Sequence, residues 1–462
     1  MWPEKSGKRL FDFKLRAISG YSFVSILAVM TCAMLQPVCP ALAAESTDAG
    51  EWVKENMPPL VELYRQLHQN PELSLKEKET SARMAKELHE IGATVTTDVG
   101  THGVVGVLEN GPGKVLMLRS DMDGLPVTEQ TGLPYASKVH VEDAHGATVG
   151  VMHACGHDVH MTNLVGVARY LAKHRDQWSG TVIFVFQPAE ETGAGADGMI
   201  RDGLLVKFGR PDFAVAMHDS ADVPTGSINY FPGFALANVD SVDITVKGRG
   251  GHGASPESTI DPIVIAAKLV LDLQTIVSRE IKPIDPAVVT VGSIHGGTKH
   301  NIISDECRLQ LTLRSLTPQV RQQLQDAVRR KAKAAAASAG APDPIVEISE
   351  GTPALFNDPE LTKRLATMLK KQFGDDKVKE GEPVMGGEDF GRFGSTGVPI
   401  CMLRLGAVNQ KRLDEFAAKH LPPTSLHSPL YYPDIEETLT MGVPAMVAVV
   451  EELLPPESGK SK

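Results

Sequence analysis

The sequence predicts an α/β fold: a sheet covered by helices on both faces and interrupted by a smaller second domain. Three observations predict it. Buried-type strand runs alternate with helical periods up to residue 217. Near Asn238 the order changes to β-α-β-β-α-β, the split-βαβ or ferredoxin-like arrangement, and keeps it for about a hundred residues. After residue 351 a helix, a strand and a closing helix return to the first pattern.

The elements follow in order. Trp52, Met57, Leu60, Leu63, Tyr64 and Leu67 recur mostly at three and four residues, which predicts a helix over 52–68, broken by Asn70-Pro71. A second helix is expected over 76–91, with Gly92 as its stop. Strands are expected at 94–98, 104–109 and 114–120, the last two joined by Gly-Pro-Gly at 111–113. A helix over 161–174 turns Leu164, Val167, Ala168 and Leu171 inward. Thr181–Gln187 is nearly continuous β-branched and aromatic sequence, so it reads as a buried strand. A short helix at 195–203 leads to another buried strand, 213–217, ending at His218. The inserted segment should hold strands at 241–247, 287–292, 302–314 and 345–348, with helices at 261–277 and 318–335. A helix over 359–373, a strand over 399–405 and a helix over 436–454 complete the first domain. The expected boundaries are 46–237 and 351–456 for the interrupted domain and 238–350 for the inserted one.

A chain of 462 residues is too long for one ordinary core, which agrees with two domains. With 42% hydrophobic and 22% charged residues it has the composition of a globular protein. A net charge of −11 and an aromatic content of 5% argue against nucleic acid or an anionic membrane surface as a partner. Residues 1–43 read as a cleavable signal peptide. Lys5, Lys8, Arg9, Lys14 and Arg16 precede a small, apolar run, and Pro40-Ala-Leu-Ala43 offers a cleavage site before Ala44. The expectation is therefore export to a periplasm or beyond, with no stable membrane association once the signal is removed. Cys155, Cys307 and Cys401 then remain; the last two could pair in an oxidising compartment, but both lie in strand-like runs and read rather as buried thiols.

The chemistry concentrates between residues 121 and 218. Gly150-Val-Met-His-Ala-Cys-Gly-His-Asp-Val-His160 sets Cys155, His157, Asp158 and two further histidines, His153 and His160, within eight residues. Thiolate and imidazole beside carboxylate suit a divalent transition metal. Asp121 and Asp123 follow a strand, and either could bind metal, orient a histidine, or form a turn before Gly124. Glu190-Glu191 follow a buried strand. Their side chains diverge, so one carboxylate can face metal while the other activates water. His218 ends a buried strand with Asp219 beside it. His252 lies in a Gly-rich loop of the inserted segment, where it could reach a substrate oxyanion. His300-Asn301, Arg314, Gly386-Gly-Glu-Asp-Phe390 and Leu426-His-Ser-Pro429 are further candidates.

Taken together, these motifs resemble the M20 metallopeptidase family, in its N-acyl-amino-acid, hippurate and auxin-conjugate hydrolase branch. The resemblance runs from Leu67-His-Gln-Asn-Pro-Glu72 to Leu426-His-Ser-Pro429. It implies a metallo-aminopeptidase-like catalytic domain, an inserted lid or dimerisation domain, and two divalent metal ions (Zn, Mn, Co or Ni). The implied ligands are Cys155 as a bridge, His157, Glu191, His218 and His427. Glu190 matches the general base and Asp123 the carboxylate that supports the metals. His252 and Asn301 match residues that reach substrate, often across a homodimer interface. Arg314 matches a position suited to a substrate carboxylate, and the loop of Glu388 matches one that lines the site. Met217-His-Asp-Ser220 departs from the family, many members of which carry His-Val there. The expected reaction is hydrolysis of a small N-acyl amino acid. The alternatives are a metallo-carboxypeptidase or dipeptidase, a thiol hydrolase with Cys155 as nucleophile and His157 as base, and a non-catalytic periplasmic binding protein.

Overall fold

The computed structural model describes residues 48–142 and 146–457, so the expected signal peptide at 1–43 lies outside the described residues. Strands β1 (Thr94–Val99), β2 (Gly103–Asn110), β3 (Val115–Asp121), β4 (Gly180–Gln187), β5 (Phe213–Pro224) and β6 (Ile228–Tyr230) precede the inserted segment. That segment holds β7 (Asn238–Lys247), β8 (Ala287–Gly296), β9 (Glu306–Ser315) and β10 (Ile345–Glu350); β11 (Val378–Glu380) and β12 (Ile400–Val408) follow it. The helices used below are α1 (Asp48–Gln69), α2 (Lys78–Glu90), α3 (His157–Lys173), α4 (Pro262–Thr275), α5 (Pro318–Ser338), α6 (Pro359–Phe373) and α7 (Ile435–Leu453).

One sheet of eight strands has the order β1-β2-β4-β3-β5-β12-β6-β11. Its centre is parallel: β3 pairs in parallel with β4 and β5, and β5 with β12. The alternation of side chains across β3 and β4 explains why both faces are covered. Leu116, Leu118 and Phe184 face the cluster built by α1, α2, α3 and α7. Met117, Ile183 and Val185 face a second cluster with Met199, Phe390 and Phe393. A strand buried on both faces reads as continuous apolar sequence, which is what Thr181–Phe186 shows.

The inserted residues form an antiparallel sheet of their own, β8-β9-β7-β10. Val242, Ile244 and Val246 of β7 and Leu309, Leu311 and Leu313 of β9 meet Ile265, Leu269, Leu324 and Val328 of α4 and α5 in a separate core. Both helices start at a capping residue followed by proline. Asp261 accepts hydrogen bonds from the backbone N–H groups of Ile263 and Val264, and Thr317 accepts one from that of Val320.

The structure differs from the sequence reading in three places that matter for the site. The predicted strand 302–314 is broken: Ile302–Ile303 pairs with Gly251–His252 in a separate ribbon, and β9 begins at Glu306. Asp305 makes the break, because its carbonyl and carboxylate accept the N–H groups of Gly248 and Gly250 at 2.7 and 2.8 Å. β5 does not stop at His218 but runs on to Pro224 alongside β12. α3 begins at His157, four residues before the expected Met161.

Candidate metal centre

The carboxyl end of the central sheet gathers four segments. β3 ends at Asp121, so Asp123 sits just beyond it; β4 ends at Gln187 and delivers Glu190-Glu191. β5 carries His218, and the turn before α3 carries Cys155 and His157. Gly156 makes that turn with φ +73°, and a Cβ there would collide with the carboxylate of Asp219. Only glycine fits on both counts.

Hydrogen bonds aim the imidazoles. His157 Nδ1 donates to the Asp123 carbonyl at 2.8 Å. His218 Nδ1 donates to the Asp219 carbonyl at 2.7 Å. Both Nε2 atoms are thereby left bare, the arrangement metal-binding histidines take. His218 Nε2 lies 3.8 Å from Cys155 Sγ, and His427 Nε2 lies 3.2 Å from the same sulfur. His427 Nε2 is also 3.5 Å from Glu191 Oε1, and His157 Nε2 is 3.8 Å from that oxygen. Among several groupings of these donor atoms, two triads share one sulfur: Cys155, His157 and His218; and Cys155, Glu191 and His427. Within each triad the atoms lie within 4.8 Å of one another.

The residues fit a pair of metal ions on a second count. His157 Nε2 and Glu191 Oε1 are buried with no hydrogen-bond partner among the described residues. Such atoms are costly to bury bare. Asp121 and His160 nearby are already satisfied. His160 donates to Asp121 Oδ1 through Nδ1 at 2.6 Å and to Asp219 Oδ1 through Nε2 at 3.1 Å. Burial pushes the Cys155 thiol well up from its ordinary range, which is the opposite of what a thiol nucleophile needs.

Asp123 holds the site together. It is buried and lined by donors: the N–H of Glu190 at 3.2 Å, the N–H of Glu191 at 3.0 Å and the hydroxyl of Ser74 at 2.6 Å. Just before that bend, Ala189 has φ +53°, and the Glu77 carboxylate accepts its N–H at 2.7 Å. His427 also sits at positive φ, +67°, with its N–H on the Ala154 carbonyl at 2.8 Å. Strained backbone of this kind clusters where side chains must be aimed. Glu190 is 8% exposed. Burial, then the charges of Glu388, Asp389 and Glu191, hold its carboxyl well above the ordinary carboxylate range.

Sequence reasoning missed the supports beneath. Arg119 is buried and donates to Asp121 at 2.6 Å, Glu388 at 2.9 Å, Asp389 at 3.0 Å and Gln187 at 3.0 Å. An arginine directly after the apolar run Val115–Leu118, within the same strand, was the available signal. Tyr431 donates its hydroxyl to Asp219, and His68 bonds Asp158 at 2.6 Å. His153 is buried, with neither ring nitrogen partnered among the described residues, and burial lowers its pKa to about 4.

A cleft of about 610 Å³ opens over the triads, and Glu190, Glu191, His218 and His427 line it. Arg314 reaches it from β9, with Nη1 on the Met385 carbonyl at 2.8 Å. One expectation is corrected. Glu388 does not line the cleft: it is 1% exposed and bound to Arg119, while Gly386 and Gly387 form that wall. His252 and Asn301 are brought together, with the Gly253 N–H on the Asn301 carbonyl at 2.9 Å, but on the exposed ribbon and not among the residues that line the cleft.

The profile of the peptidase family M20/M25/M40 matches residues 117–427. The "Thermostable carboxypeptidase 2" of Saccharolobus solfataricus is 38% identical over 364 residues, 78% of this chain and 88% of that protein. The "IAA-amino acid hydrolase ILR1-like 2" of Arabidopsis thaliana is 35% identical over 381 residues, 82% of each. Among solved structures, the Bacillus subtilis YXEP protein, described as a dinuclear metal binding peptidase from the M20 family, superposes with a TM-score of 0.71. It is 29% identical, and the match covers 87% of this chain and 99% of that one.

Proposed function

The chain belongs to peptidase family M20/M25/M40 as a metal-dependent amidohydrolase, and on that premise we propose that it cleaves the amide between a small acyl group and an amino acid. The observation that carries the reading is the pair of donor triads sharing Cys155 Sγ, with Glu190 beside them on the cleft. Cys155, His157, Glu191, His218 and His427 would hold two divalent ions, of which Zn, Mn, Co and Ni all suit these donors. When bound, the ions supply Lewis acidity toward a carbonyl oxygen and toward water.

The remaining work falls to the chain's own residues. Glu190, buried on the cleft beside Glu191, takes a proton from water and returns it to the leaving nitrogen. Asp123 keeps Glu190 and Glu191 apart and aimed by holding their two amides. Arg314 takes the carboxylate of the amino-acid part. His252 and Asn301 enter the cleft from a second copy in a homodimer. Exposed Val264 and Leu271 on α4 and Ile294 on β8 offer that copy an apolar face. A leader removed before Ala44 would place the enzyme in the periplasm or outside the cell. The carboxypeptidase relative favours a second reading, release of a C-terminal residue from short peptides by the same groups.

The test is Glu190→Gln, assayed on N-acyl amino acids and dipeptides with metal content measured on the same preparation. Metal stoichiometry should stay at wild type while kcat falls by about 10³ or more. Turnover near wild type would remove Glu190 from the role. Faster cleavage of dipeptides than of acyl amino acids by the wild type would favour the carboxypeptidase reading.

A further inference from the structure

The cleft contains a second arginine that none of the roles above uses. Arg404 lines it from the middle of β12, in register with His218 on the parallel neighbour β5. Register partners on adjacent strands share a face, so Arg404 stands on the side of the sheet from which His218 meets Cys155. Met402, two residues back on that face, also lines the cleft. A cation beside proposed metal ligands is repelled by the ions they would hold, so its presence needs a counter-charge.

The protein supplies little of that counter-charge. Arg404 Nη2 donates to Ser220 Oγ, and to Asp222 at 3.0 Å. The Asp222 side chain is 64% exposed, so that pair is weak and screened. Nε and Nη1 take no partner among the described residues. The Arg404 side chain is 28% exposed, half sunk into the cleft wall rather than free in solvent. Arg314 stands on a different sheet, in the inserted segment, and is anchored through a single Nη1 contact. Leu236, Val239, Val384 and Leu426 make up apolar wall on the same cleft. A planar guanidinium with unused donors suits a carboxylate.

We propose that the cleft reads two carboxylates, one at Arg314 and one at Arg404, so that its preferred substrate is a dianionic N-acyl amino acid and Arg404 is a specificity-determining residue. This rests on the amidohydrolase reading above. The second carboxylate belongs either to the acyl part or to the side chain of the amino acid, and substrates separate the two.

The metal-loaded enzyme is assayed on N-acetylalanine, which has one carboxylate, on N-acetylglutamate, with a second on the amine side, and on N-succinylalanine, with a second on the acyl side. At least one dianionic substrate should exceed N-acetylalanine in kcat/KM by about tenfold or more, chiefly through KM. In Arg404→Gln that ratio should fall toward one, and Arg404→Lys should keep part of it. Calorimetric titration with succinate against acetate, and glutamate against alanine, reads the same preference without turnover. Equal kcat/KM for all three substrates, or a preference that survives Arg404→Gln, overturns the proposal and leaves the hydrolase reading standing. No turnover of any substrate by metal-loaded protein would defeat the hydrolase reading, and the titrations would still decide the case of Arg404.

Discussion

His68 shows what a single buried side chain contributes. It is 1% exposed and lies between Asp158 at 2.6 Å and Glu129 at 3.2 Å. Burial alone would lower its pKa, but the bonds to Asp158 and Glu129 raise it to about 9. A folded pKa above the unfolded value near 6.5 means that the charged pair stabilises the protein fully below about pH 6.5. That stability is lost as pH rises through about 9. The shift is worth roughly 3 kcal/mol. Chemical unfolding of the metal-free protein between pH 6 and pH 10 should therefore show declining stability, and His68→Gln should flatten the decline by about that amount. His160, also raised to about 9 against burial by Asp121 and Asp219, adds a slope of the same sign, so some decline persists. A slope identical in His68→Gln would refute the assignment. The contrast with Cys155 shows what sequence can and cannot reveal about residues. Cys155, His157, Glu190 and Glu191 announce themselves, because their types and spacing have few other uses. His68, Arg119 and Tyr431 are ordinary in type, and their importance comes only from the partners that folding brings to them across the chain.

At the level of elements, legibility followed length and burial. β4 is eight residues long with the apolar run Val182–Phe186 at its centre and was plain, whereas β6 and β11, three residues each, exist only because β12 and each other supply their hydrogen bonds. The start of α3 was misplaced because its first turn, His157–His160, is polar in sequence yet buried in fact. Its cap is Gly156 in the left-handed region, with the Asp219 carboxylate in the space a side chain would need. This also accounts for Asp219, the departure noted in Met217-His-Asp-Ser220: its acid fills the hollow over Gly156 and ties α3 to Tyr431 through His160. Gly156→Ala should lower stability by roughly 1 kcal/mol from backbone strain and by more from the collision. It should also weaken metal binding, because Cys155 and His157 flank the turn. Asp219→Ala removes the collision but not the strain, so the double variant should be less destabilised than the sum of the two singles. Denaturant unfolding of all four proteins measures that coupling, and strict additivity would show that the two residues do not share one space.

For the whole molecule, the prediction to test is that His252 acts in the cleft of a second copy. Motif order was enough to anticipate an inserted segment with its own sheet, but not where its ribbon lies relative to the cleft, because residues far apart in the sequence set that placement. Within one chain the structure puts Arg314 of the insert on the cleft and leaves His252 and Asn301 outside it, on the exposed pair Gly251–His252 and Ile302–Ile303. Two physical routes could bring the imidazole to substrate. Either the insert swings over its own chain's cleft, or the ribbon of a second copy reaches in. Mixing two inactive variants separates them. Glu190→Gln spoils the cleft but keeps the ribbon, and His252→Ala keeps the cleft but spoils the ribbon. If ribbons cross between copies, a mixed dimer contains one site with both residues intact and one with neither. Random pairing of equal amounts then restores roughly a quarter of wild-type kcat after the two are unfolded and refolded together. If each insert closes on its own chain, every site in the mixture lacks one residue, and activity stays at the level of the separate variants. Recovery near a quarter establishes the shared site, and its absence with dimers present establishes closure within one chain.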